Sequence, residues 1–287
     1  MAGSTTQSLD TLLPEIIQEA MFVASERSIM RGLVKNYSLA AAQGTTVNVP
    51  IYPKQTAAAV TEGNEVLNST VTTTSAVLTI TPVAIRTMLT DLARTASASN
   101  VVADLGRLFG EAIARKMDID LTSKFRSFDA GAGDYTTPIT AAAIFQMVAK
   151  LKAAAVPTEG MVCVLHPEIA YDLKSALTAQ GNTPFTAGAY GDNANEAMRM
   201  GLVGMLAGIP VYETSNIVDG TLSAGDFTGA VFHRDAVGLG MIGDIAIETQ
   251  RRASFLGDDI VCSAYYGTGI LQNNCGRYLA YDSSINP

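Results

Sequence analysis

Apolar residues recur along this chain with two periods, and the switches between them mark out the predicted elements. Within residues 1–45, Leu12, Ile16, Ile17, Ala20 and Val23 fall at helical spacing after Asp10 and Pro14. They predict a short amphipathic helix in an otherwise small, polar arm. At residue 46 the period becomes two. Val47, Val49 and Ile51 alternate with Asn48 and Pro50, and on the return Ala76, Leu78 and Ile80 alternate with Val77 and Thr79. Two β arms joined by a stretch containing Glu62-Gly63-Asn64-Glu65 predict an extended hairpin over 46–90. The connection is far longer than the roughly two to five residues of an ordinary hairpin loop. An uncharged hairpin with β-branched residues on both faces needs a surface to lie on, and a neighbouring subunit is the expected one.

A helical period returns from Ser97 to Phe125. Val101, Leu105, Leu108, Ala112 and Arg115 form one ridge, and Val102, Phe109, Ile113, Met117 and Leu121 form the next. Ser97 or Ser99 can cap its start, while Lys124 and Arg126 complement the dipole at its end. At about 1.5 Å per residue this helix spans roughly 40 Å, the length of a strut. Asp129-Ala-Gly-Ala-Gly-Asp134 reads as a flexible linker, followed by a helix from Thr140 to Ala155 that Pro157 stops. Met161–Leu165 reads as a short buried strand and Pro167 as the start of another helix. Residues 179–200 read as a long loop. Strands are expected at Ile209–Tyr212, Ala230–His233, Gly238–Ile242, around Ile245, Ile247 and Thr249, and from Asp259 to Leu271. The fold class is α+β, with no internal repeat and no βαβ ladder.

Charge alters what the surface must do. Lys and Arg number 19 and Asp and Glu 27, so charged residues are 16% of the 287; about 25% is usual. A compact monomer of this mass would expose on the order of 12,000 Å². So few charges cover that area poorly, and much of the surface is expected to lie against other chains. The net charge of −8 and the lack of any cationic run longer than Arg251-Arg252 argue against a phosphate-gripping role. Cys163, Cys262 and Cys275 lack metal or disulfide spacing, so a reducing compartment is expected. The first cation is Arg27, so no signal peptide is expected. The uncharged run from Val66 to Ile85 is rich in Thr and contains Pro82, which marks a β segment and not a membrane helix.

Candidate chemistry is sparse. His166 sits at a strand-to-helix corner and His233 at a strand end, with no nucleophile elbow to serve either. Asp118 and Asp120 point to different sides of a helix, and Asp258-Asp259 reads as a solvated turn. Gly201, Gly204 and Gly208 lack the Lys-Ser/Thr of a phosphate loop and a strong preceding strand, so close backbone packing is expected there. The expectation is no enzyme, no cofactor and no metal.

The run AAAVTEGNEVLNSTVTTTSAVLTITPVAIRTMLTDLARTAS (57–97) resembles the E-loop of HK97-fold major capsid proteins of tailed bacteriophages, passing into their spine helix. GMVCVLHPEIAYDL (160–173), GMLAGIPVYETSNI (204–217) and AVFHRDAVGLGM (230–241) are similar to that family's later elements, in the same order. The resemblance implies an N-terminal arm (1–45), an E-loop (46–90), a P-domain (91–150) with spine helix 97–125, an A-domain (151–240) and return strands (241–287) completing the P-domain. It implies hexamers and pentamers tiling an icosahedral shell around double-stranded DNA, without sequence-specific binding or a membrane. Assembly in the host cytoplasm into a virion would use a separate scaffolding protein, a portal and in some cases decoration proteins. Lys54, Val60, Glu62, Gly63 and Glu65 become inter-subunit residues. Lys54 with Asn273 or Asn274 would supply the isopeptide crosslink of some relatives, though an ordinary interface cation is the stronger expectation for Lys54. An encapsulin-like nanocompartment is the alternative, and a small oligomeric hydrolase using His166 or His233 a remote one.

Overall fold

The computed structural model describes residues 28–39, 44–92 (apart from 58, 61, 64, 66, 67 and 69), 101–179, 202–217 and 225–285. A single helical turn, α1 (Met30–Leu33), precedes β1 (Lys35–Leu39), β2 (Thr46–Ile51), β3 (Thr74–Thr79) and β4 (Thr81–Thr90). Next come α2 (Val101–Thr122), β5 (Asp129–Ala132), α3 (Ala141–Ala153), β6 (Met161–Leu165) and α4 (Pro167–Ala179). The rest is β7 (Leu202–Leu206), β8 (Ile209–Glu213), β9 (Asp226–His233), β10 (Val237–Arg252), β11 (Gly257–Ile270) and β12 (Gly276–Asp282).

Three sheets organise the chain. A long four-stranded sheet has the order β1-β10-β11-β4, a six-stranded sheet β5-β12-β9-β6-β8-β7, and β2 and β3 pair alone. The predicted ridge of α2 is its core face: Phe109, Ile113, Met117 and Leu121 are all buried. The other ridge faces outward, and Leu108 is 60% exposed. The Tyr266 hydroxyl of β11 donates to Asp120 Oδ2 at 2.8 Å, fixing the helix across one face of the long sheet. In the six-stranded sheet all of β6 is buried, and Phe125, Phe128 and Phe232 stack with centroids 5.4 to 6.1 Å apart.

Several expectations are corrected. The segment before residue 46 is not wholly an arm: Met30 and Val34 are core residues, and β1 pairs parallel with β10 from Lys35↔Gly238 to Leu39↔Ile242. The expected helix at 12–23 lies outside the described residues, as do the start of the long helix and the loop at 180–200. The long helix stops at Thr122, short of Phe125, because the chain turns there to insert Phe125 beside Phe232. Lys124 and Arg126 therefore sit past its last turn. Residues 81–90 leave the hairpin and pair as β4 with β11, and β12 joins the six-stranded sheet through β9. The expected strands 238–242 and 245–249 are one strand, β10, with an irregularity between Ile242 and Ala246. A strand does precede Ile209: β7 meets β8 through Ala207 and Gly208, at φ 57° and 80°. Nothing lies within 4 Å of a Cβ built on Gly208, so its positive φ, not close packing, calls for glycine.

The supposed linker at 129–134 contains β5, paired parallel with β12. Its small residues permit contact, since a Cβ on Gly131 would stand 1.6 Å from the Tyr278 carbonyl oxygen. Gly131→Ala is expected to cost about 3 kcal/mol, since two backbones must separate. A clear fall in the urea midpoint checks this; an unchanged midpoint would mean that β5 is not seated.

Candidate functional site

The surface that sets this chain apart is the β2–β3 hairpin and the strands beneath it. Alternation works as the sequence predicts. Leu78 and Ile80 are buried and Val47, Val49, Ile51 and Ala76 half-buried, while Val77 on the opposite face is 55% exposed. The inner face rests on this chain's own β10 and β11. There Gly238 lies directly opposite Gly269, and Gly240 opposite Gly267. Four glycines thus form a bare patch of backbone on one face. A Cβ on Gly267 would stand 2.1 Å from the Thr79 carbonyl oxygen, and one on Gly269 2.6 Å from Leu78 Cδ2. The Gly-x-Gly spacing at 238–240 and 267–269 was a signal that strand patterning alone does not use.

Between Ile51 and Thr74 the described residues form no strand. Tyr52, Val60 and Val71 are each about half exposed or more, and Glu62, Gly63 and Glu65 are exposed. Lys54 is the one described tether in this loop for which a hydrogen bond is resolved: its Nζ donates to the carbonyls of Ala154 and Ala155 at 2.9 Å. Those carbonyls end α3, where a cation is favoured. Asn273 Nδ2 donates to Asp129 Oδ1 at 2.7 Å. Lys54 and Asn273 are each engaged elsewhere in the subunit.

Asp258-Asp259 is not a solvated turn. Both residues are buried within β11, pointing to opposite faces of the sheet. Asp259 Oδ2 takes Arg86 at 2.8 Å and Arg252 at 2.6 Å, while Arg251 spans Asp91 at 2.6 Å and Asp258 at 3.4 Å. Two ion clusters on opposite faces lock the far end of the long sheet. Beyond them its tip exposes Phe255 (56%) and Leu256 (68%), with Leu92 nearby in the β4 extension at 79%. Phe145, Tyr171 and Met205 are exposed on other elements. The apolar surface is spread over several sides, with no single groove to account for it.

The histidines are held by their own neighbourhoods. His166 stacks on Phe227 with centroids 3.6 Å apart, and its Nδ1 accepts from the Glu168 amide. Burial pushes its pKa down. His233 Nε2 donates to Glu159 O at 2.9 Å, and its Nδ1 accepts from the Asp235 amide. Asp118 and Asp120 do diverge, Asp118 toward Asn216 and Asp120 toward Lys116 and Tyr266. No group of His, Cys, Asp and Glu arranged for a metal occurs among the described residues. Burial raises the Cys163 thiol far above its usual range and pushes Cys262 up to about 11. Native protein at pH 8 is therefore expected to keep both unalkylated by iodoacetamide, and denatured protein to lose both, as peptide mass mapping would show.

No family model and no curated sequence matches the chain. Solved structures do. The capsid of the cyanophage P-SCSP1u superimposes with a TM-score of 0.68 at 18% identity, over 90% of this chain and 89% of that one. The capsid of Ralstonia phage GP4 gives 0.66 at 13% identity, over 88% and 87%. This is a phage-capsid fold. The capsid of a native GTA particle shares it, with a TM-score of 0.66 at 13% identity over 91% of both chains. Matches spanning so much of both partners mean that the hairpin, long helix and both main sheets all belong to the phage-capsid fold.

Proposed function

We propose that this chain is a major capsid protein, assembling as hexamers and pentamers into an icosahedral shell that encloses double-stranded DNA in a virion. The observation that carries the reading is the likeness to capsid structures over about nine-tenths of both chains. The low charge content and the apolar residues exposed on several sides support it, because a tile is covered by neighbours around its whole rim.

In HK97-fold terms, α2 and the long sheet make the P-domain, now including β4. The six-stranded sheet with α3 and α4 makes the A-domain, now including β12. The E-loop is β2, β3 and the loop between them, lying over an adjacent subunit through Val60, Glu62, Gly63 and Glu65. Lys54 serves as an anchoring cation, and denaturing gels of particles are expected to give one band at 30.1 kDa. A crosslink from Lys54 to Asn273 or Asn274 would give ladders instead. A separate scaffolding protein, a portal and decoration proteins are the expected partners, with assembly in the host cytoplasm.

Negative-stain electron microscopy of the full chain, expressed alone and with its neighbouring genes, tests the reading. Closed shells or capsomer rings are expected. A uniform small oligomer in both preparations would overturn it, and shells filled with protein and no nucleic acid would mean a nanocompartment.

A further inference from the structure

Asp118 lies in the middle of α2 and is fully buried, at 0% exposure. Its carboxylate is shared by two segments far apart in sequence. From the root of the N-terminal segment, Ser28 Oγ donates to Oδ1 at 3.0 Å and the Ile29 amide to Oδ2 at 3.3 Å, and the Met30 amide also donates. From the loop after β8, Asn216 Nδ2 donates to Oδ2 at 3.3 Å. One turn along α2, Thr122 Oγ1 holds the Asn216 carbonyl at 2.9 Å. Ile29, which begins α1, has no side-chain cap of its own, so Asp118 supplies one from another helix.

Every group that meets this carboxylate is neutral. On α2, Lys116 is paired with Asp120 and Arg115 is exposed. On the N-terminal segment Arg31 is exposed and Lys35 pairs with Asp235. On the β8 side Glu213 pairs with Lys174, and on β11 Tyr266 is bonded to Asp120. Asp118 is thus a carboxylate removed from water without a cation. Burial raises its pKa above the ordinary carboxylate value, and the four donors offset this only in part.

We propose that Asp118 is a proton-linked clasp, holding the root of the N-terminal segment and the 214–217 loop together on the long helix, and holding them more tightly when protonated. Opening the clasp returns Asp118 to water, which favours the ionised form. The grip is therefore complete below the ordinary carboxylate value of about 4. It weakens as pH rises toward Asp118's own higher value, and levels off beyond it. The clasp lies within one chain and does not depend on the shell reading.

Hydrogen exchange of the full chain between pH 4 and 8 tests this, as protection factors for amides 29–34 relative to those of β6. In the wild type, the opening constant of 29–34 is expected to rise by up to about tenfold per pH unit and then level. Asp118→Asn should flatten the profile, with protection at neutral pH matching that of acidic wild type. Asn216→Ala should open 29–34 several-fold although it touches none of those residues. Equal slopes in wild type and Asp118→Asn, or an unmoved 29–34 in Asn216→Ala, would overturn the proposal. If Asp118→Asn does not fold, the wild-type profile decides, because a clasp released by acid would slope the other way.

Discussion

Gly267→Ala unseats the hairpin. The added methyl would stand 2.1 Å from the Thr79 carbonyl oxygen and 2.6 Å from its carbon, so relief requires one backbone to move off another. Side chains can rotate away from a crowded methyl, but a strand pinned by six paired residues from Thr46↔Thr79 to Ile51↔Thr74 moves only as a unit. Overpacking of this kind costs about 3 kcal/mol, the upper end of the usual range. Lifting β3 also uncovers Leu78 and Ile80, which the platform now buries. Gly32→Ala is the matched control: nothing lies within 4 Å of its Cβ position, and it sits in α1. That change is expected to be neutral or to stabilise by roughly 0.5 kcal/mol. Urea midpoints of the two variants check both. Equal midpoints would mean that β3 does not rest on the glycines.

What the sequence conveyed and what it concealed divide along a physical line. Val47, Val49, Ile51 and Leu78 announced the hairpin because alternation is a local property, and Phe109, Ile113, Met117 and Leu121 announced the long helix for the same reason. The ion clusters were concealed because Arg86 is 173 positions from Asp259, and a carboxylate pair seen alone resembles a solvated turn. Strand β5 was concealed because glycine serves a linker and a close backbone contact equally well. Asp118 looked like an unremarkable helix position until Ser28 and Asn216, 90 and 98 residues distant, were placed on it. Of the candidate surface, the exposed residues of the hairpin loop could be named in advance, and Lys54 could be singled out. Its acceptors at the end of α3 could not, since they are backbone carbonyls with no signature in sequence.

Replacing residues 52–73 by Asn-Gly separates folding from assembly. Ile51 and Thr74 already face each other at the end of β2 and β3, so a two-residue turn can close the hairpin there without changing its register. Shortening the connection from 22 residues to two lowers its closure entropy cost by roughly 2 kcal/mol. Against this stand the two exposed Lys54 hydrogen bonds, each worth about 1 kcal/mol or less. The subunit is thus expected to melt within a few degrees of the wild type. Shell formation, in contrast, is expected to fall below detection. The loop carries Tyr52, Val60 and Val71 into solvent, where a single chain gains nothing from them, and a covering neighbour would bury all three. Calorimetry and electron microscopy of the same preparation read the two effects apart. An unfolded variant would mean that the loop stabilises its own subunit. A folded variant that still closes into shells would place the contacts between subunits elsewhere, at the exposed Phe255 and Leu256 tip or along the outer ridge of α2 at Leu108.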